Sequence, residues 1–285
     1  MKFLVMGAYG LLGSRLCPVL EAKGHKVFKQ GRRPAADHKA DPRDLSAVQR
    51  LLAIIQPDVV INLNALTSVD RCEDAPGEAY LANVRIVEVL VKALAKCPAY
   101  LLQVSTDQVY SGNGPHDETN PQPCNVYALS KYAGELACHG VRSGIFRTNL
   151  VGRSLTSDRM GFTDWLHQAF TQQEPLTLFD DVWFSPVHMD QLSLALERAA
   201  TLRPAGVFNL GASTGASKAH FALEFARALG LDSSSAAVGK LADMSLRAPR
   251  PLDMRLDVSA FEQTMGWSLP NMDEVIAAAA ADYAQ

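Results

Sequence analysis

The chain has 285 residues, enough for one α/β domain with a smaller lobe and too few for three ordinary domains. Apolar residues make up 48% of it and the net charge is only −3, with acids and bases interspersed, so wholesale disorder is excluded and no basic stripe marks a nucleic-acid partner. There is no apolar run of roughly 18 residues to span a membrane, and the five cysteines, odd in number and irregularly spaced, read as reduced cytosolic thiols.

The elements follow in chain order. Lys2–Met6 is a compact apolar strand that runs into a glycine turn, too short for the core of a secretory signal. Helical spacing then covers Leu11–Lys23 and stops at Gly24. His25–Lys29 is the next strand, and Leu45–Ile55 a helix that ends before Pro57. Asp58–Asn62 is a strand, Ala79–Ala95 a long amphipathic helix, and Ala99–Ser105 a strand again. Tyr127–His139 is helical and Gly144–Thr148 extended. Strands separated by helices of this length imply right-handed crossovers, and therefore a doubly wound parallel sheet of the Rossmann type in an α/β fold. Residues 1–150 are read as the dinucleotide-binding domain and 151–285 as a mostly C-terminal α/β substrate lobe. Some strands within about 176–212 are expected to rejoin the main sheet, Val207–Leu210 above all. Helices are expected at Phe162–Gln173, Met189–Leu202, Ala219–Gly230 and Met272–Tyr283, and Asp232–Val238 reads as a loop.

The turn after the first strand reads Gly7-Ala8-Tyr9-Gly10-Leu11-Leu12-Gly13. Gly7 permits the tight turn, Gly10 lets the backbone approach a pyrophosphate, and Gly13 allows close helix–strand contact. The phosphates then sit at the helix N-terminus, where free N–H groups and the dipole favour an anion. At the end of the second strand, where an acid often holds the ribose of NAD, stands Gln30-Gly31-Arg32-Arg33. A guanidinium pairs well with a 2′-phosphate, so NADP(H) is the preferred cofactor and NAD(H) the second choice. Asp41 is a weaker candidate for the adenine amino group, because Asp is also a good helix starter.

Tyr127 and Lys131 are four apart on a predicted helix and share a face. A neighbouring ammonium is expected to lower the phenol from about 10 towards working pH, which suits a proton donor to a carbonyl oxygen. The fourth strand ends at Ser105-Thr106-Asp107, and ligands of open α/β sheets bind beyond the carboxyl ends of strands. Thr106 or Ser105 then falls beside that oxygen. The histidines are scattered without metal-ligand spacing, so no metal site is expected.

These residues carry a resemblance. The chain resembles the extended short-chain dehydrogenase/reductases and, more closely, the dTDP-4-dehydrorhamnose reductase family. The likeness runs through GAYGLLG, INLNALTSVDRCED, STDQVYSG, DETNPQPCNVYALSKYAGE, FRTNLVG and the late RAPRPLDMRLD. It implies Thr106, Tyr127 and Lys131 as the catalytic trio. It implies cofactor contacts from Gly7, Tyr9, Gly10, Leu11, Leu12 and Gly13, and from Leu63, Asn64, Ala65, Asn83 and Ser105. Thr67, Asp107, Val109, Asn149, Trp183 and Arg250 are implied on the substrate side, with Arg147 shaping the site and Arg247 or Arg250 facing the substrate's phosphates. The implied reaction reduces a 4-keto group on a nucleotide-activated deoxysugar, in the cytoplasm, with a homodimer left open and neither a nucleic acid nor a membrane as partner. Gln108 departs from the aromatic residue often found there. Two alternatives stand: a sugar-nucleotide epimerase or dehydratase with the same cofactor, and a non-catalytic NADP-binding subunit like that of methionine adenosyltransferase.

Overall fold

The computed structural model describes residues 1–31 and 36–284. The chain opens with β1 (Lys2–Met6), α1 (Leu11–Ala22), β2 (Lys26–Gly31) and β3 (His38–Lys39), followed by α2 (Leu45–Ile55) and β4 (Val59–Asn62). Two short helices, α3 (Val69–Asp74) and α4 (Pro76–Tyr80), lead through a π turn at Leu81–Arg85 into α5 (Ile86–Leu94). Next come β5 (Tyr100–Thr106), α6 (Val126–Ala137), β6 (Ser143–Thr148) and β7 (Leu150–Val151). The later part holds α7 (Phe162–Thr171), β8 (Leu176–Phe179), β9 (Trp183–Phe184), β10 (Val187–His188), α8 (Met189–Leu202) and β11 (Gly206–Leu210). It closes with β12 (Ala216–Ser217), α9 (Lys218–Leu229), β13 (Ala236–Gly239), β14 (Asp253–Met254), α10 (Ser259–Met265) and α11 (Met272–Ala281).

Seven strands form one parallel sheet in the order β11-β6-β5-β4-β1-β2-β3. The runs VVIN and FLVM are buried on both sides, as interior parallel strands must be. On one face α1, α8 and α10 pack Leu16, Leu20, Leu192, Leu196 and Phe261 against Phe3, Val5, Tyr100 and Phe146. On the other, α2 and α5 bring Val48, Leu52, Val89 and Leu90 onto Leu4, Val60 and Leu101. β1 lies inside the sheet between β4 and β2, and the chain moves outward to either side of it. Its carboxyl end therefore opens at the switch point where this architecture binds ligands.

β11 pairs with β6 as the seventh strand, Phe208 opposite Phe146. β8 does not reach that sheet and pairs with β13. β12, β9 and β14 form a small sheet, and α7, α9 and α11 cover it with a core built on Phe184, Phe221, Phe225 and Ile276. Helix starts are set by short polar side chains. Asp44 accepts from Ser46 N and Ala47 N at α2, and Asn125 from Ala128 N at α6. α1 begins at Gly10 with no side-chain cap, leaving its first turn open at the sheet's carboxyl edge.

Candidate active site

A cleft of about 740 Å³ opens along the carboxyl ends of β1, β4 and β5. One end is the glycine turn. Gly7 has φ +79°, and a Cβ there would press on Asn64 at 3.2 Å. A Cβ on Gly13 would lie 2.4 Å from the Ala8 carbonyl, so only glycine lets α1 start so close to β1. Gln30 is fully buried; its Oε1 accepts from Gly7 N (3.1 Å) and its Nε2 donates to Ala40 O (2.7 Å). It therefore pins the turn, a role that its place at the end of β2 did not reveal.

The cleft wall contains Gly7, Tyr9, Gly10, Leu11, Leu12 and Gly13 together with Leu63, Asn64, Ala65 and Thr67. Its other end is formed by Ser105, Thr106, Asp107, Tyr127, Lys131 and Asn149. Sequence reasoning did not find Asp158, Arg159 and Met160, which line the same cleft from the loop before α7. Their only signal is that the loop leaves the sheet at its carboxyl side.

Tyr127 and Lys131 stand one turn apart on α6 and are 6% and 5% exposed. The Thr106 hydroxyl, at the end of β5, lies beside the Tyr127 phenol, donates to Asp107 Oδ1 at 3.2 Å and accepts from Gln108 N at 3.2 Å. The Lys131 ammonium donates to the Val104 carbonyl at 2.8 Å. The expected lowering of the phenol by Lys131 is not what the structure has. Burial raises Tyr127 above its ordinary value, and Asp107 nearby adds to the rise, so the phenol is a protonated donor near neutral pH. Burial lowers Lys131 to about 8.

Asp107 is buried beside Thr106, and its carboxylate accepts from Asn149 Nδ2 at 2.7 Å. Burial pushes it up to about 6, partly offset by the Asn149 bond and by the positive charge of Lys218. For an acid raised from 3.8, the native state holds its proton longer than the unfolded chain, so stability falls as pH rises through about 6. Asp107→Asn should thus be about 3 kcal/mol more stable than the parent at neutral pH, with the difference closing in acid. Urea midpoints at two pH values check this; a gain equal at both would contradict it.

Several expected contacts lie elsewhere. Val109 is wholly inside the main core and does not reach the cleft. Asn83, in the π turn, accepts from Leu66 N (2.8 Å) and donates to Leu66 O and Ser130 Oγ, so it braces the wall loop from behind. Asp41 is bonded to Arg43 at 2.7–3.2 Å and is not part of the cleft wall. Trp183 is 39% exposed on β9, with the Arg255 guanidinium stacked on its ring at 5.0 Å, and lies outside the cleft. Arg250 donates to Asp70 (2.8 Å) and to the Ala248 carbonyl, and Arg247 pairs with Asp74. Arg147 is buried below the site, not in it. Arg32 and Arg33 lie outside the described residues. Among the described residues one group of metal-type donors converges, His188, Asp190 and Asp282. Arg15 is already bonded to both carboxylates, which supplies the positive charge there.

The model of the RmlD substrate binding domain matches residues 1–285. The chain belongs to that family. Among RmlD-domain relatives, a Haloferax volcanii protein named "Probable low-salt glycan biosynthesis reductase Agl14" is 29% identical, over 99% of this chain and 98% of its own length. The dTDP-4-dehydrorhamnose reductase of Shigella flexneri is also 29% identical, over 95% and 94% of the two chains. A solved dTDP-4-dehydrorhamnose reductase of Bacillus anthracis, in complex with NADP, shares the fold with a TM-score of 0.88 at 23% identity, over 96% of each chain. The motifs that predicted the RmlD family therefore sit in the fold they imply.

Proposed function

We propose that the protein reduces the 4-keto group of a nucleotide-activated deoxysugar, with NADPH preferred over NADH. The observation that carries this reading is the convergence of Thr106, Tyr127 and Lys131 at one end of a cleft whose other end is the glycine turn. The names of the RmlD-domain relatives, dTDP-4-dehydrorhamnose reductases among them, point to the same chemistry. The dinucleotide, when bound, supplies the hydride. The turn from Gly7 to Gly13 and the uncapped start of α1 would hold its phosphates, and Lys131 its ribose. Tyr127 gives its proton to the carbonyl oxygen, and Thr106 holds that oxygen and the phenol in line. Asp107 and Asn149 present a bonded pair to the sugar hydroxyls.

The test is an NADPH-oxidation assay against a panel of keto-sugar nucleotides, with a spectrum of the purified protein. Oxidation with a 4-keto sugar nucleotide supports the reading. Retained NAD without net oxidation would support an epimerase instead, and binding without any turnover the regulatory-subunit alternative. The NADP preference rests on Arg32 and Arg33: replacing both by alanine should weaken NADPH about tenfold or more and leave NADH nearly unchanged. Equal loss for both would refute the assignment. No helix among the described residues is long and apolar enough to cross a membrane, and this reading places the enzyme in the cytosol.

A further inference from the structure

Glu135 lies one turn beyond Lys131 and two beyond Tyr127 on α6, so the three share a face. Its carboxylate is buried and accepts from the Ser105 hydroxyl. It also takes both fork nitrogens of Arg147, at 3.1, 3.1 and 2.6 Å. Ser105 is the residue before Thr106, and Val104, before that, receives the Lys131 ammonium. The last turn of β5 is therefore gripped by two side chains of α6, at successive residues, just where it delivers Thr106 to Tyr127.

We propose that Glu135 is a positioning residue of the reaction: it anchors Ser105 so that Thr106 meets Tyr127, and it supplies the negative charge that keeps Lys131 an ammonium. This deepens the reductase reading and rests on it. An ammonium in so closed a place needs an anion nearby. Of the groups facing Lys131, Tyr127 and Ser105 are neutral, and the Cys138 thiol on α6 is pushed up to about 12 by burial and is neutral too. Arg147, from β6, turns its guanidinium to Glu135 and to the Tyr110 hydroxyl. Asp107, an anion above about 6, acts on Tyr127 and is bonded to Thr106 and Asn149, so among the described residues Glu135 is the anion that opposes the fall burial imposes on Lys131.

The experiment follows the Lys131 side chain by NMR in the full chain without cofactor, using isotope-labelled lysine and assignment by Lys131→Met. The parent signal should titrate near 8. Glu135→Gln should move the midpoint down by about one pH unit or more, and Glu135→Asp should restore most of it. Arg147→Met, which leaves the carboxylate without its counter-charge, should move it up. If Glu135→Gln does not fold, the double variant Glu135→Gln with Arg147→Met removes both charges from the core, and its midpoint should still fall below the parent's. A part that only holds the fold would leave the Lys131 midpoint unmoved in every folded variant, and that result overturns the inference. The readout needs no turnover, so an inactive parent would sink the reductase reading while leaving this coupling intact.

Discussion

Phenylalanine in place of Tyr127 should cut reductase turnover by about 10²–10⁴-fold while NADPH binds as before. The substitution removes one hydroxyl from a side chain that is 6% exposed and leaves its ring in the small cluster with Val69, Cys72, Ala79 and Ala248. Among the described residues, neither of the two other groups of the trio is placed to replace the lost proton. Lys131 is tied to the Val104 carbonyl, and Thr106 is a hydroxyl too weakly acidic to give its proton up. Because burial raises the Tyr127 phenol, the parent stays in its donor form throughout the neutral range, and its acid limb should instead follow Asp107, near 6. Turnover and dinucleotide affinity measured side by side check this. A variant with parental turnover would remove Tyr127 from the chemistry, and one that no longer binds NADPH would make its role structural.

The second large effect concerns stability. Arg147 is 2% exposed, holds Glu135 through two donors, reaches the Tyr110 hydroxyl at 2.7 Å and the Glu118 carbonyl at 3.0 Å, and lies over the Tyr110 ring at 5.1 Å. Arg147→Ala leaves the Glu135 carboxylate buried without its counter-charge and strips the Tyr110 hydroxyl of a donor. A loss of about 3–5 kcal/mol is expected, a large part of the roughly 5–15 kcal/mol that holds an ordinary domain. Replacing Arg147 by Met and Glu135 by Leu together should cost less than Arg147→Ala alone, because a vacated pair of similar volume leaves no lone charge. Denaturant midpoints of the single and double variants decide it. A double variant less stable than the single would mean that the pair contributes through packing rather than charge.

What could be read from the residues alone follows from how local each signal is. The sheet strands and the helices around them announce themselves by periodicity, and Leu45–Ile55 and Met189–Leu202 fall at their observed bounds. The two-residue strands of the substrate lobe carry no such pattern, since their partners come from distant parts of the chain. The helix Val69–Asp74 is also silent, being one short turn capped by Ser68. In the site, the glycine turn and the Tyr127–Lys131 spacing are local chemistry and were legible. Gln30, Glu135 and the loop from Asp158 to Met160 were not, because their work depends on what the fold sets beside them. Trp183, Arg250 and Val109 show the reverse case: residue type and motif place them near the site, and packing directs them elsewhere.

The most direct test of the account follows a label. With a 4-keto sugar nucleotide and NADPH deuterated at the transferable position, the product should carry one deuterium at the former carbonyl carbon, as seen by mass spectrometry. Tyr127→Phe should give almost no labelled product in the same time. Label transfer at the parental rate by that variant, or NADPH oxidised with no deuterium in the sugar, would contradict a hydride reduction completed by the Tyr127 proton.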